Sequence, residues 1–172
     1  LRGIGIQPDM IICRADMAVG DEIREKIALF CDVEKQAVVP LTTVETIYEV
    51  PLILEEAGIA EIICQRLNIT CGRPDLTEWR DLVNHIKKPK PSLTIAVVGK
   101  YVDLKDAYIS VYEALQHAGS QQEHEVKIDW ISSEELERRP DFDRLERLNG
   151  IVVPGGFGER GIEGKVVAAK FA

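Results

Sequence analysis

Short continuous apolar runs alternate along this chain with segments whose apolar residues recur at helical spacing. Met10-Ile11-Ile12-Cys13, after the turn-prone Gln7-Pro8-Asp9, and Ala37-Val38-Val39 read as buried parallel strands. Between them Ile23, Ile27 and Phe30 recur at i, i+4, i+7 and predict a helix over 21–31, with Asp21 and Glu22 at the positive end of its dipole. Strand, helix, strand predicts a parallel βαβ crossover. Thr42-Thr43-Val44-Glu45 has the spacing of a capping box and predicts a helix start. Pro51 sits inside the apolar pattern of Ile47, Tyr48, Leu52 and Leu54, so a kink or a break into two short helices is expected there, and Gly58 should end the segment. Two more helices are predicted near 60–67 and 76–87, the second with Trp79, Leu82, Val83 and Ile86 on one face.

Lys87-Lys88-Pro89-Lys90-Pro91-Ser92 combines prolines with repelling charges and predicts an extended connector. The expected division is therefore a first domain over 1–86, a linker over 87–92 and a second domain over 93–172. Leu93 to Val98, ending at Gly99, is the expected first strand of a new parallel sheet. A helix face of Ala107, Val111, Ala114, Leu115 and Ala118 follows, closed by Gly119. Val126, Ile128 and Trp130 alternate as a second strand, and Ser132-Ser133-Glu134-Glu135 is a second capping box. Gly150 to Val153 is a third strand, and a last helix carries Ile162, Val166 and Phe171. No internal repeat or low-complexity tract interrupts this α/β pattern.

Composition narrows the partners. Of 172 residues, 45% are hydrophobic and 29% charged, as in folded globular chains. A net charge of −8 argues against a nonspecific grip on nucleic acid. No apolar run approaches the roughly 20 residues of a membrane span, so a cytoplasmic protein without membrane contact is expected. Leu1-Arg2-Gly3-Ile4-Gly5 is neither a signal peptide nor an initiator methionine, which predicts a piece of a longer chain. Cys13, Cys31, Cys64 and Cys71 lack C-x-x-C spacing, and a domain of this size needs no disulfide staples. Reduced, buried thiols are expected; a metal set of Cys64, Cys71 and His85 would fit no familiar finger.

The segment richest in chemistry is Pro154 to Gly161, with four glycines in the seven residues 155–161 directly after a strand. Ligands of open α/β sheets bind at the carboxyl ends of strands. A glycine-rich turn there can aim backbone amides at an anion or a developing oxyanion. It is not a Walker A loop, since no Gly-Lys-Ser/Thr follows.

Val153-Pro154-Gly155-Gly156-Phe157-Gly158, Arg160-Gly161 and Glu163-Gly164, with Val98-Gly99-Lys100-Tyr101 and Asp106-Ala107-Tyr108 upstream, resemble the glutaminase domain of the CTP synthase family. Leu1 to Pro8, Ile12-Cys13-Arg14, Lys26-Ile27-Ala28-Leu29-Phe30-Cys31, Thr46-Ile47-Tyr48 and Pro51-Leu52 resemble the end of that family's synthetase domain. The resemblance implies the end of a P-loop-type synthetase domain, a linker, and the first half of a flavodoxin-like class I glutaminase. It implies a homotetrameric enzyme that uses ATP and Mg2+ to phosphorylate the uracil 4-oxygen of UTP, with ammonia from glutamine displacing the phosphate to give CTP.

By the same resemblance Lys26 contacts UTP or CTP, and Thr42, Thr43 and Val44 lie at ATP. Gly156 lends its amide to the oxyanion hole, Phe157 shapes the glutamine pocket, and Arg160, Gly161 and Glu163 respond to the activator GTP. Residue chemistry alone leaves plainer readings open: Lys26 as a solvated helix lysine, and Arg160 with Glu163 as an i, i+3 surface pair. The family's nucleophile cysteine, its histidine and glutamate partners, its phosphate loop and its magnesium carboxylates match nothing here, so no turnover is expected of these 172 residues alone. His117 and His124 precede the glycine turn and do not match the base. A non-catalytic binding or assembly module is the alternative; another amidotransferase would not carry Lys26-Ile27-Ala28-Leu29-Phe30 before the linker.

Overall fold

The computed structural model describes the backbone of residues 1–172 and every side chain except those of Arg2 and Lys105. The chain divides into two compact units, Leu1–Lys87 and Lys88–Ala172, and its architecture is mixed α/β with parallel sheets.

In the first unit β1 (Ile11–Ala15) and β2 (Val38–Thr42) pair in parallel across α1 (Asp21–Cys31), with Ile11 opposite Val38 and Ala15 opposite Thr42. Pro40, which cannot donate to a ladder, is tolerated because a two-stranded sheet leaves β2 one unpaired edge. A 3-10 turn at Ile47–Glu49 leads into α2 (Val50–Glu56), where Pro51 occupies the first turn and so begins a helix rather than kinking one. Gly58, at φ +74°, turns the chain into α3 (Ile59–Leu67), and α4 (Thr77–Lys87) closes the unit. The buried residues are Ala28, Ala37, Val38, Val39, Ile59, Ile62 and Val83.

Three expectations for this unit are corrected. The capping box sits at Thr46 and Glu49: the Tyr48 amide donates to Thr46 Oγ1 at 3.5 Å and the Thr46 amide to Glu49 Oε1 at 3.3 Å. Thr42 is spent as the last ladder residue of β2, and the Thr43 amide extends the pairing to Ala15 O at 3.0 Å. The face of α1 expected to be buried is largely exposed, with Phe30 76% accessible, while the small Ala28 packs inward. The cysteines are not four reduced, buried thiols: Cys64 and Cys71 form a disulfide, and Cys13 and Cys31 are free but only partly buried. The pairing follows from the end of α3, where left-handed Asn68 and the Ile69 amide bonded to Cys64 O reverse the chain and return Cys71 beside Cys64. Burial of Cys13 raises its thiol pKa, and neighbouring Cys31 adds to the rise.

The second unit is a three-stranded parallel sheet in the order β4 (Glu125–Ser132), β3 (Ser92–Gly99), β5 (Gly150–Val152). Central β3 is the continuous apolar run, and Ala96, Val97 and Val98 are wholly buried, as a strand flanked on both sides requires. Helices α5 (Ile109–Gln121), α6 (Ser133–Arg138), α7 (Phe142–Glu146) and α8 (Ile162–Phe171) complete it. Ala96, Val98, Ile131, Leu136, Leu145 and Ala168 form one core cluster. Ser132 caps α6 as expected, accepting from the Glu135 amide at 3.4 Å. Gly119 does not close α5. It lies inside the helix against β4, where an added Cβ would fall 2.3 Å from Val126 Cγ2. Among the described residues no helix is long and apolar enough to cross a membrane.

Candidate functional site

The turn from Pro154 to Gly161 leaves the carboxyl end of β5 and feeds α8, at the edge of the sheet where α/β folds place ligands. Its glycines serve different ends. Gly158 (φ +81°) and Gly161 (φ +68°) hold left-handed backbone that a side chain would strain. Gly161 and Gly164 also admit α6: a Cβ on Gly164 would fall 1.7 Å from the Ser133 carbonyl oxygen. Gly155 and Gly156 face space, with nothing within 4 Å of a Cβ on the first and only Lys165 Nζ at 3.5 Å on the second. The turn is thus rooted at its α8 end and open at Gly155 and Gly156, the second of which is the glycine expected to lend its amide.

Three side chains to which the sequence reading gives no role surround it. Lys100, directly after β3, donates from Nζ to the carbonyl oxygens of Phe157 and Gly158, each at 2.8 Å. Lys165, on α8, donates to Pro154 O at 2.8 Å. Tyr101 lies beneath Arg160, whose guanidinium carbon is 5.4 Å from the ring centroid. The signal for Lys100 is positional: it occupies the carboxyl end of the central strand, where side chains face a ligand crevice.

Of the expected site residues, Gly156, Phe157, Arg160, Gly161 and Glu163 are brought together on this turn and the first turn of α8. The Phe157 ring is fully exposed at the tip. Arg160 pairs with Glu134 on α6 (Nε–Oε1 3.0 Å) instead of forming the i, i+3 pair with Glu163 that spacing allowed. In the first unit Lys26 faces solvent from α1, paired with Glu22 at 3.3 Å. Thr42, Thr43 and Val44 lie at the carboxyl end of β2, not at a helix N-terminus; Thr43 Oγ1 donates to Asp16 Oδ1 at 2.7 Å. His124 Nδ1 lies 2.6 Å from Gln122 O, and His117 is 3.8 Å from Glu113 on α5. Among the described residues no three His, Cys, Asp or Glu side chains are grouped to hold a metal ion.

Two family models match the chain: "CTP synthase N-terminus" over residues 1–69 and "Glutamine amidotransferase class-I" over residues 103–172. A CTP synthase of Roseiflexus sp. (strain RS-1) is 60% identical over all 172 residues, which span 31% of that protein. A CTP synthase of Methanocaldococcus jannaschii is 52% identical, with all of this chain and 33% of that protein covered. The solved Trypanosoma brucei CTPS glutaminase domain with bound acivicin is 38% identical over 46% of this chain and 31% of its own, with a TM-score of 0.42. The chain spans about a third of the length of the curated relatives it matches. It belongs to the CTP synthase family, with sequence of the N-terminal synthetase region in its first unit and of the class I glutamine amidotransferase domain in its second.

Proposed function

We propose that this chain works as part of a cytoplasmic glutamine-dependent ligase that aminates UTP to CTP. In this reading ATP phosphorylates the uracil 4-oxygen, glutamine is hydrolysed to glutamate and ammonia, and ammonia displaces the phosphate, leaving ADP and inorganic phosphate. The observation that carries it is the alignment of all 172 residues, in one order, with CTP synthases at 50–60% identity. The first unit then contributes Lys26 toward UTP or CTP and Thr42, Thr43 and Val44 toward ATP. A lysine ammonium suits a triphosphate or a uracil oxygen, and the carboxyl end of parallel strands suits a nucleotide. Lys26 would exchange its exposed Glu22 partner for the ligand, a small loss for an exposed pair.

In the second unit the Gly156 amide donates to the oxyanion formed when a thiolate attacks the glutamine amide carbon, and Phe157 packs on the glutamine side chain. All four cysteines precede the glycine turn, so the thiolate is not assigned to them, and these 172 residues alone release no ammonia from glutamine. Arg160, Gly161 and Glu163 answer to GTP, the Arg160 fork being able to stack and hydrogen-bond at once. Magnesium accompanies ATP on ligands not assigned here, and the working assembly is a homotetramer.

The test is Gly156→Pro in the full-length enzyme. It removes one N–H without a large added volume in open space. Glutamine-supported CTP formation should fall by about 100-fold or more, the cost of one oxyanion donor, while ammonia-supported synthesis persists. Full glutamine-supported activity in the proline variant would refute the assignment.

A further inference from the structure

The two lysines at the glycine turn have no role in the chemistry above, yet they occupy it from opposite sides. An ammonium has three N–H donors and no acceptor. Lys100 spends two of them on consecutive carbonyls of the turn, and Lys165 spends one on its first carbonyl. In a trans peptide unit the N–H points opposite to the C=O. Holding Phe157 O and Gly158 O therefore orients the amides of Gly158 and Glu159, and holding Pro154 O orients that of Gly155. The two peptide units between these anchors carry the amides of Gly156 and Phe157, in the stretch where the glycines face open space.

Lys100 is itself held. Its amide donates to Tyr108 Oη at 2.9 Å, and that ring is buried, stacked on Trp130 and pressed against Gly99, where a Cβ would lie 2.4 Å from the hydroxyl. The sheet's central strand and a buried aromatic pair thus carry the ammonium to the turn. Such support is what a loop needs when an amide must meet a reacting atom closely.

We propose that Lys100, with Lys165 as its counterpart, is a positioning residue for glutamine hydrolysis: the two ammoniums bracket the Pro154–Gly158 turn so that the Gly156 amide is presented in one orientation. The proposal rests on the reading of Gly156 as an oxyanion donor. Lys100 touches neither glutamine nor the reacting atoms; it acts through the backbone it holds.

The experiment compares Lys100→Met and Lys100→Arg with the wild type in the full-length enzyme. In Lys100→Met, kcat for glutamine hydrolysis should fall about 10- to 100-fold, with KM for glutamine changed less than about threefold. The ratio of glutamine-supported to ammonia-supported CTP formation should fall with it. Lys100→Arg, whose guanidinium can still donate to two carbonyls, should recover most of the loss. Equal loss of both ammonia- and glutamine-supported synthesis, or an unchanged kcat, would overturn the proposal.

A second readout does not depend on activity. The exposed Phe157 makes the 157–158 bond a chymotrypsin site, and freeing its carbonyl should speed cleavage there several-fold, as mapped by mass spectrometry. An unchanged cleavage rate in Lys100→Met overturns the bracket even if activity falls. If the wild-type enzyme forms no CTP from glutamine, the functional reading fails, and the cleavage rate alone decides whether the bracket exists.

Discussion

The two units share a parallel strand-helix-strand plan but are held together differently. The second has a central strand covered on both sides and one contiguous cluster of buried apolar side chains. The first has two strands, a small set of buried residues, and large apolar side chains such as Leu29 (78% accessible) in water. Polar and covalent ties do more of its work. Gln7 Nε2 donates to Cys31 O at 2.8 Å and Asp32 O at 3.0 Å, Trp79 Nε1 donates to Tyr48 O at 2.8 Å, and Cys64 is joined to Cys71. A unit that spends its glycines on close helix packing should be sensitive to added volume. One held by ties should be sensitive to their removal.

The largest effect is expected at Gly164. Its missing side chain lets α8 lie against the backbone of α6, and the obstacle to a Cβ is a carbonyl oxygen rather than a flexible chain end. Gly164→Val should destabilise the second unit by about 3 kcal/mol, the upper range for overpacking. Each unit holds one tryptophan, Trp79 in the first and Trp130 in the second. Urea unfolding followed in a Trp79→Phe background therefore reports the second unit. A midpoint that stays in place for Gly164→Val would break the contrast.

The first unit should lose less, and by a different route. Opening the Cys64–Cys71 bridge, which spans seven positions, should cost about 2 kcal/mol by the chain-entropy estimate for so short a loop. Trp79 fluorescence in a Trp130→Phe background, with and without a thiol reductant, measures it. The native chain should titrate two thiols, Cys13 and Cys31, and the reduced chain four. Four thiols before reduction would remove the tie from the account.

Much of this was readable in advance because hydrophobic period reports element type directly. The buried run at Leu93–Val98, the helix over 21–31 and the glycine turn after a third strand all stand where pattern puts them. What period cannot report is which neighbour arrives. Ile23 and Phe30 have the spacing of a core face, but they are 53% and 76% accessible while Ala28 is buried. Thr42-x-x-Glu45 and Thr46-x-x-Glu49 carry the same capping signature four residues apart. Only the ladder bond from the Thr43 amide to Ala15 O selects the second. Gly119 looked like a helix stop because its close approach to Val126 is a tertiary fact. At the site, the glycines and Arg160 were legible as chemistry. Lys100 and Lys165 were not, since a lysine bonded to carbonyls distant in sequence reads as surface charge.

The smallest effect concerns the ties at the end of α4. Lys87 Nζ donates to Glu49 Oε2 at 3.0 Å and lies 3.4 Å from Glu45, linking the helix to the capping box at Thr46. The hydrogen bond from Lys87 holds the Glu49 carboxyl below the ordinary glutamate range, helped by the Thr46 amide, and the same bond raises the Lys87 ammonium. A carboxyl that is more acidic when folded binds fewer protons there than in the unfolded chain, so stability rises with pH across its titration. Its contribution is fully present above the ordinary glutamate range and is lost as pH falls through the lowered folded value. The Lys87 contribution has the opposite limb: it is present below the ordinary lysine value and is lost as pH rises through the raised one. Both groups are accessible to water, so the shift in unfolding midpoint should be smaller than that of the disulfide and should shrink in salt. Glu49→Gln removes the charge and keeps the shape. Between about pH 7 and pH 3 the wild type, followed at Trp79, should lose more stability than the variant. Parallel pH profiles for the two would show that this corner is held by packing, as in the second unit, and not by its ion pair.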